Sequence, residues 1–290
     1  MLAHATSVVF LLGDNLDGEG SALSIPSDFD DVYAPVLAKG VVFHAALGAH
    51  DVKPCPVADL DPLADDANAY RWRAPGCDIE FQLSHRDIGF PDGQRYYSVV
   101  REAEPEPLVE IFVLDSNTLL IRDGKLGLKR EDGAQIAWLE RAMNASRARW
   151  KLVALHHPPF TAPGRGRLIG GARRDREPGL EAQLGPLLRR HGVDAVIAGR
   201  DRLYARIRPR DGIRYFVTGG GGREPLADYD PRARELAAAG KFHHLLLLRA
   251  TEERLEYYAI DDAGRSRDAG WFAKGSAEDT ALPAGALPPP

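Results

Sequence analysis

Short apolar runs of strand length recur along the whole chain with helix-patterned stretches between them, and this alternation limits the fold more than any other feature. The runs cover residues 8–12, 41–47, 109–114, 152–155, 195–198, 214–218 and 242–248. Between them, Ile136, Leu139 and Met143, and then Leu180, Leu184, Leu187 and Leu188, are spaced so that their side chains fall on one face of a helix. Strands alternating with amphipathic helices define an α/β class. Ser27 with Asp30 three positions on reads as a capping box opening a helix between the first two strands. Residues 242–248 and 255–260, separated only by a turn-like 249–254, read as an antiparallel hairpin, so the sheets are expected to be mixed.

Three stretches lack this periodicity. Residues 52–95, rich in Asp, Pro, Gly and Arg, read as a loop insertion. Residues 164–179 hold five arginines against one aspartate and one glutamate, net +3, between glycines. Residues 275–290 end in Ala-Leu-Pro-Pro-Pro and read as a disordered tail behind a single domain spanning 1–274. A chain of 290 residues can bury its core without metal or disulfide staples. A net charge of −5 supplies no overall field to gather nucleic acid or anionic membrane, so anion affinity has to be local. The apolar runs fall far short of the roughly 20 residues that span a bilayer. Residues 1–6 carry no basic region of a secretory signal, and the expected location is cytoplasmic. Cys55 and Cys77 suit free thiols or one disulfide, and they cannot build a zinc ribbon.

Four of the apolar runs end in polar or glycine-rich turns: Gly13-Asp14-Asn15, Gly48-Ala49-His50-Asp51, His156-His157-Pro158-Pro159 and Gly199-Arg200-Asp201-Arg202. Ligand-binding loops of α/β sheets gather at the carboxyl ends of strands, so four such turns can share one cleft although nearly the whole domain lies between the first and the last. With Leu114-Asp115-Ser116-Asn117, Gln135 to Leu139, Trp150-Lys151, Gly192-Val193-Asp194 and the run Gly219 to Gly222, these segments resemble the calcineurin-like metallophosphoesterases over about residues 8 to 262, and within them the purple-acid-phosphatase-like branch.

The resemblance implies a sandwich of two mixed β-sheets flanked by helices. It also implies a pair of divalent metal ions, Fe, Mn or Zn, at the strand ends, where a metal-bound hydroxide attacks a phosphate ester. On this pattern Asp14 matches the bridging carboxylate and His156 a metal ligand. His50 and Asp51 match a catalytic pair in which the imidazole steadies the transition state while the carboxylate orients it. The chain departs from the pattern elsewhere. The family's first, Asp-bearing strand has no counterpart before Asp14. Ala49 stands where an Asn ligand is expected, and Arg200 and Arg202 stand where the family has two imidazoles. A guanidinium is permanently cationic and has no lone pair to offer a metal.

The resulting expectation is an acid-phosphatase-like protein with an incomplete dinuclear site, weak or inactive toward phosphate esters, in which Arg200, Arg202, Asn15 and His157 hold phosphate or a phosphate ester. One alternative is an active phosphomonoesterase whose metal shell is rebuilt by His157, Asp115, Asp201 or carboxylates of the 52–94 stretch. Another is a non-enzymatic binding or scaffold protein. Gly219 to Gly222 reads as a tight turn, at least one of His243 and His244 as a half-buried packing residue, and Tyr204 as a packing group.

Overall fold

The computed structural model describes residues 4, 6–16, 25–52, 78–102, 105–119, 132–162, 178–222 and 229–289. Their elements run β1 (Val8–Leu12), α1 (Asp31–Leu37), β2 (Val42–Ala46), α2 (Asp78–Ser84), β3 (Tyr97–Glu102), β4 (Pro107–Val113), α3 (Ser116–Leu119), α4 (Gly133–Ala145), β5 (Trp150–Leu155), α5 (Pro178–Arg190), β6 (Ala195–Ala198), β7 (Tyr204–Arg210), β8 (Ile213–Thr218), β9 (Leu236–Gly240), β10 (His244–Ala250), β11 (Arg254–Asp261), β12 (Ser266–Ala273) and β13 (Thr280–Ala281).

A seven-stranded mixed sheet, in the order β3-β4-β5-β6-β8-β7-β9, carries the fold, with β4, β5, β6 and β8 parallel. Side-chain alternation sorts its residues into two cores. Ile111, Val113, Trp150, Leu152, Ala154, Ala195, Ile197 and Phe216 join one cluster with Phe43, Ala45, Leu255, Tyr257 and Phe272 of the smaller sheets. Phe112, Leu114, Val153, Leu155, Val196, Ala198, Tyr215 and Val217 point the other way, onto Leu139 and Met143 of α4 and Leu180, Leu184 and Leu188 of α5. Burial on both faces explains why these strands read as continuous apolar runs. The second layer is divided: β1 and β2 form a parallel pair, and β10 to β13 an antiparallel sheet of four. The α/β sandwich of mixed sheets flanked by helices is therefore present, with its smaller layer in two pieces.

Several expectations need correction. The 52–95 stretch contains α2, a short helical turn at Pro91–Gly93, and leads directly into β3; residues 53–77, with Cys55, and also Cys77 lie outside the described residues. The capping box does not form: Ser27 bonds the neighbouring Asp28 carboxylate at 3.0 Å, and the helix opens on a wide turn at Pro26–Asp30. Asp132 is the cap that works, accepting the Gln135 N–H at 3.0 Å to start α4.

The tail was expected to be disordered, yet β13 pairs with Gly270 and Trp271 of β12. Asp279 just before it accepts from Arg214 at 3.0 Å and from Arg206 at 3.2 Å. Asp268 on β12 holds Arg206 in a fork, 2.8 and 3.1 Å, and accepts the Tyr204 hydroxyl at 2.7 Å. Arg206 and Arg214 are 8% and 2% exposed, so this charge cluster sits between the large sheet and the four-stranded one. Burial opposes the Arg206 charge, and the hydrogen bonds and charge of Asp268 more than offset it, leaving the guanidinium above its ordinary pKa.

Candidate functional site

The turns after β1, β2, β5 and β6 meet at one end of the sandwich, and glycines allow the meeting. A side chain on Gly13, which has φ +86°, would stand 2.5 Å from His156 Nδ1 and 2.6 Å from the Gly48 Cα. One on Gly199 would stand 2.6 Å from the Leu12 carbonyl oxygen, and one on Gly48 would collide with the Asp14 backbone and carboxylate. Asp14 and Arg200, each just past one of these glycines, occupy the left-handed region at φ 53° and 60°. For residues with a Cβ that conformation costs on the order of 1 kcal/mol and is held only where the surroundings enforce it.

Asp51 ties the turns after β1 and β2 together. Its buried carboxylate accepts the N–H of Gly48 at 2.8 Å, of Asp14 at 2.9 Å and of Asn15 at 3.1 Å, and a side-chain N–H from Gln82 at 3.2 Å. Burial raises its pKa, opposed by the Gly48 hydrogen bond and assisted by the nearby Asp14 charge. The His50 ring donates no hydrogen bond to Asp51. The His50 backbone N–H donates to Asp14 Oδ1 at 2.8 Å, and the buried Nδ1 has no partner. The structure therefore makes Asp51 a backbone clasp, where the resemblance implied an imidazole-orienting group.

His156 is 1% exposed, and its Nδ1 lies 2.8 Å from the Leu12 carbonyl. A carbonyl can only accept, so Nδ1 carries the hydrogen and a neutral ring keeps its lone pair on Nε2. That atom is buried without a hydrogen-bond partner, 3.5 Å from Asp14 Oδ2. A lone pair facing a carboxylate oxygen calls for something positive between or on them, either a proton on Nε2 or a cation.

The remaining expected residues are placed as follows. Asn15 gives its amide N–H groups to the Ala46 carbonyl at 3.0 Å and to Asp51 at 3.2 Å, leaving Oδ1 buried and unbonded. His157 is buried, with Nδ1 2.8 Å from the Ser116 hydroxyl, which also accepts the His157 N–H. Arg200 is exposed and Arg202 half-buried at the rim, and Asp201 between them accepts from the Thr161 hydroxyl. Residues 163–177, which contain the arginine-rich run after the His156 turn, lie outside the described residues.

Two contributors had no separate role in the sequence pattern. Gln82, from α2, had no visible signal. Asn117 had one, the Asp-x-Asn spacing in which Asp115 Oδ1 accepts both the Asn117 N–H at 3.0 Å and its amide at 2.9 Å. From there the Asn117 amide reaches the carbonyls of Leu47 and Gly48 at 3.2 and 3.3 Å. Arg95 anchors the group, 2.5 Å from Asp115 and 3.4 Å from Asp132.

On the far rim, Gly220 lies against the His244 ring, whose Nδ1 donates to the Phe242 carbonyl at 2.9 Å. Burial lowers the His244 pKa, as it does for His44 beside Arg101. The unfolded chain then binds more protons than the folded one below about pH 6.5, so stability is lost as pH falls through that value. Urea midpoints measured from pH 7.5 to 5.5 should decline, and His244→Gln should flatten the decline. An unchanged slope in that variant removes His244 as a source.

Two metal ions require two sets of donors. Among the described residues no group of three His, Cys, Asp or Glu side chains is placed to hold a metal, and Asp14 with His156 supplies a single carboxylate–imidazole pair. Position 49 offers a methyl group, and positions 200 and 202 offer cations. These residues do not fit a dinuclear centre.

The chain is 25% identical over 266 residues to purple acid phosphatase 7 of Arabidopsis thaliana, covering 87% of this chain and 72% of that protein. It is 26% identical over 232 residues to human tartrate-resistant acid phosphatase type 5, covering 73% of this chain but only 60% of that protein. The solved purple acid phosphatase PPD1 from yellow lupin superposes with a TM-score of 0.68 at 16% identity, over 93% of this chain and 47% of that one. The family model for the calcineurin-like phosphoesterases matches residues 2–199. With that match over most of the chain, the chain belongs to the calcineurin-like phosphoesterase family, on its purple-acid-phosphatase-like side.

Proposed function

We propose that this chain keeps the phosphate-ester cleft of its family as a binding site and turns over phosphate esters weakly or not at all. The observation that carries this reading is the donor set: one carboxylate–imidazole pair, Asp14 and His156, with Arg200 and Arg202 in the turn whose Gly199 packs against the Leu12 carbonyl. Arg200 and Arg202 supply the positive charge that attracts phosphate, and His50 a further hydrogen-bonding group. Asp14 on the floor opposes an anion, which keeps the expected affinity in the millimolar to micromolar range, about −4 to −8 kcal/mol.

Hydrolysis of an aryl phosphate by the purified chain should stay near background with and without added Mn, Fe or Zn. Phosphate should bind the chelator-treated protein and bind less to the double variant Arg200→Ala, Arg202→Ala. Turnover that disappears with chelator and falls on Asp14→Asn would falsify the reading. It would favour the second one, a single-cation phosphomonoesterase, for which the unpartnered His156 Nε2 facing Asp14 is the supporting observation.

A further inference from the structure

Helix α4 carries two stripes of side chains, and the core needs only one. Gln135, Leu139 and Met143 are buried against the large sheet. Ala134, Ala137, Trp138 and Arg141, spaced three and four apart, line a second face that turns toward β3, the outermost strand of that sheet. Between this face and β3 lies an open trough of about 600 Å³. That volume is within the range of small-molecule sites, and two of the helix positions lining it are alanine.

The walls of the trough are specific. The half-buried rings of Tyr96 and Trp138 are in tilted contact, 5.1 Å apart between centroids and 53° from parallel, and together form an aromatic wall against which a planar ring can lie. The pair is braced on the Tyr96 side: the buried Arg95 guanidinium lies 5.5 Å from the Tyr96 ring and is itself fixed by Asp115 and Asp132. Arg141, one helical turn beyond Trp138, is the one residue carrying a full charge among those lining the trough. Gln94 and Ser98 supply neutral hydrogen-bonding groups on the β3 side.

We propose that this trough is a binding site for a planar aromatic anion, with the ring laid against the wall made by Tyr96 and Trp138 and the negative group on Arg141. It is separate from the cleft at Asp14 and does not depend on the function proposed for that cleft. An aliphatic anion would forgo the ring contacts, and a neutral aromatic would forgo the charge.

The test is calorimetric titration of 2-naphthoate into the full chain, with 2-naphthamide and cyclohexanecarboxylate as comparison ligands. The expected result is saturable binding of 2-naphthoate in roughly the 0.1–1 mM range, weaker binding of both comparison ligands, and no displacement by inorganic phosphate. Trp138→Ala and Arg141→Gln should each weaken binding about fivefold or more, on the scale of one aromatic or one charge-assisted contact. Both side chains are at least partly exposed, and unchanged melting temperatures in the variants would confirm that the fold is intact. Absence of saturable binding to the parent protein at about 10 mM ligand, equal affinity in both variants, or displacement by phosphate would each overturn the proposal.

Discussion

Replacing Asp279 with alanine is expected to lower the unfolding free energy by about 3–5 kcal/mol, the usual loss when one partner of a buried ion pair is removed. Arg214 is 2% exposed and would keep only the Gly212 and Glu278 carbonyls, while Arg206 would still have the Asp268 fork. A stranded guanidinium over the Phe272 ring, 4.1 Å from its centroid, cannot be rehydrated without opening the junction between the two sheets. Urea unfolding measures the effect. Glu252→Ala, which removes an exposed pair with Arg149 at 3.9 Å, is the control and should change stability by well under 1 kcal/mol. A double variant, Arg214→Met with Asp279→Leu, should recover much of the loss, because an apolar pair of similar volume replaces a buried charge pair at little cost. A loss below about 1 kcal/mol in Asp279→Ala would mean that the C-terminal segment does not clamp the sheets.

The second large effect is expected at Arg95→Met. Asp115 is fully buried and Asp132 3% exposed, so loss of the guanidinium leaves two carboxyl groups without their cation at a cost of about 3–5 kcal/mol. The penalty should depend on pH, with a sign that can be fixed in advance. Burial already raises the Asp115 pKa, with the Arg95 charge and hydrogen bond opposing. Without Arg95 the folded-state value climbs further above the unfolded value of about 3.9, so the folded variant holds a proton that the unfolded chain has released. The variant should therefore be least impaired in mild acid and lose stability as pH rises toward the new folded pKa. A penalty independent of pH would indicate that Asp115 finds another partner. The Asn117 amide, which holds the Leu47 and Gly48 carbonyls and is itself held by the same aspartate, should loosen in parallel, and hydrogen exchange of the Asn117 N–H, which donates to Asp115, reports it.

The large sheet was readable because its parallel strands are buried on both faces. β4, β5, β6 and β8 all appear as apolar runs, and the β10–β11 hairpin as two such runs around a turn. β7 was not readable, because Tyr-Ala-Arg-Ile-Arg-Pro-Arg looks like a solvated surface segment. Arg206 is buried there only because Asp268, 62 positions later, supplies its counter-charge, and no local pattern encodes that pairing. β3 was hidden inside a stretch rich in turn residues, and β13 is a two-residue strand held by the Asp279 contacts.

In the cleft, the order of the Gly13, Gly48, His156 and Gly199 turns was legible, since each follows an apolar strand. The task of Asp51 was not. A carboxylate beside an imidazole in sequence invites a catalytic pairing, whereas the folded chain directs it to three backbone N–H groups of two separate turns.

Those backbone clasps have an evolutionary consequence. The turns are locked by peptide groups, glycine contacts and Asp51, and none of these fastenings uses the side chains at positions 49 or 202. Reaction chemistry and architecture are therefore heritable separately in this molecule: residues facing the cleft can be exchanged, and a catalytic repertoire lost or replaced, with little selection from folding against the change.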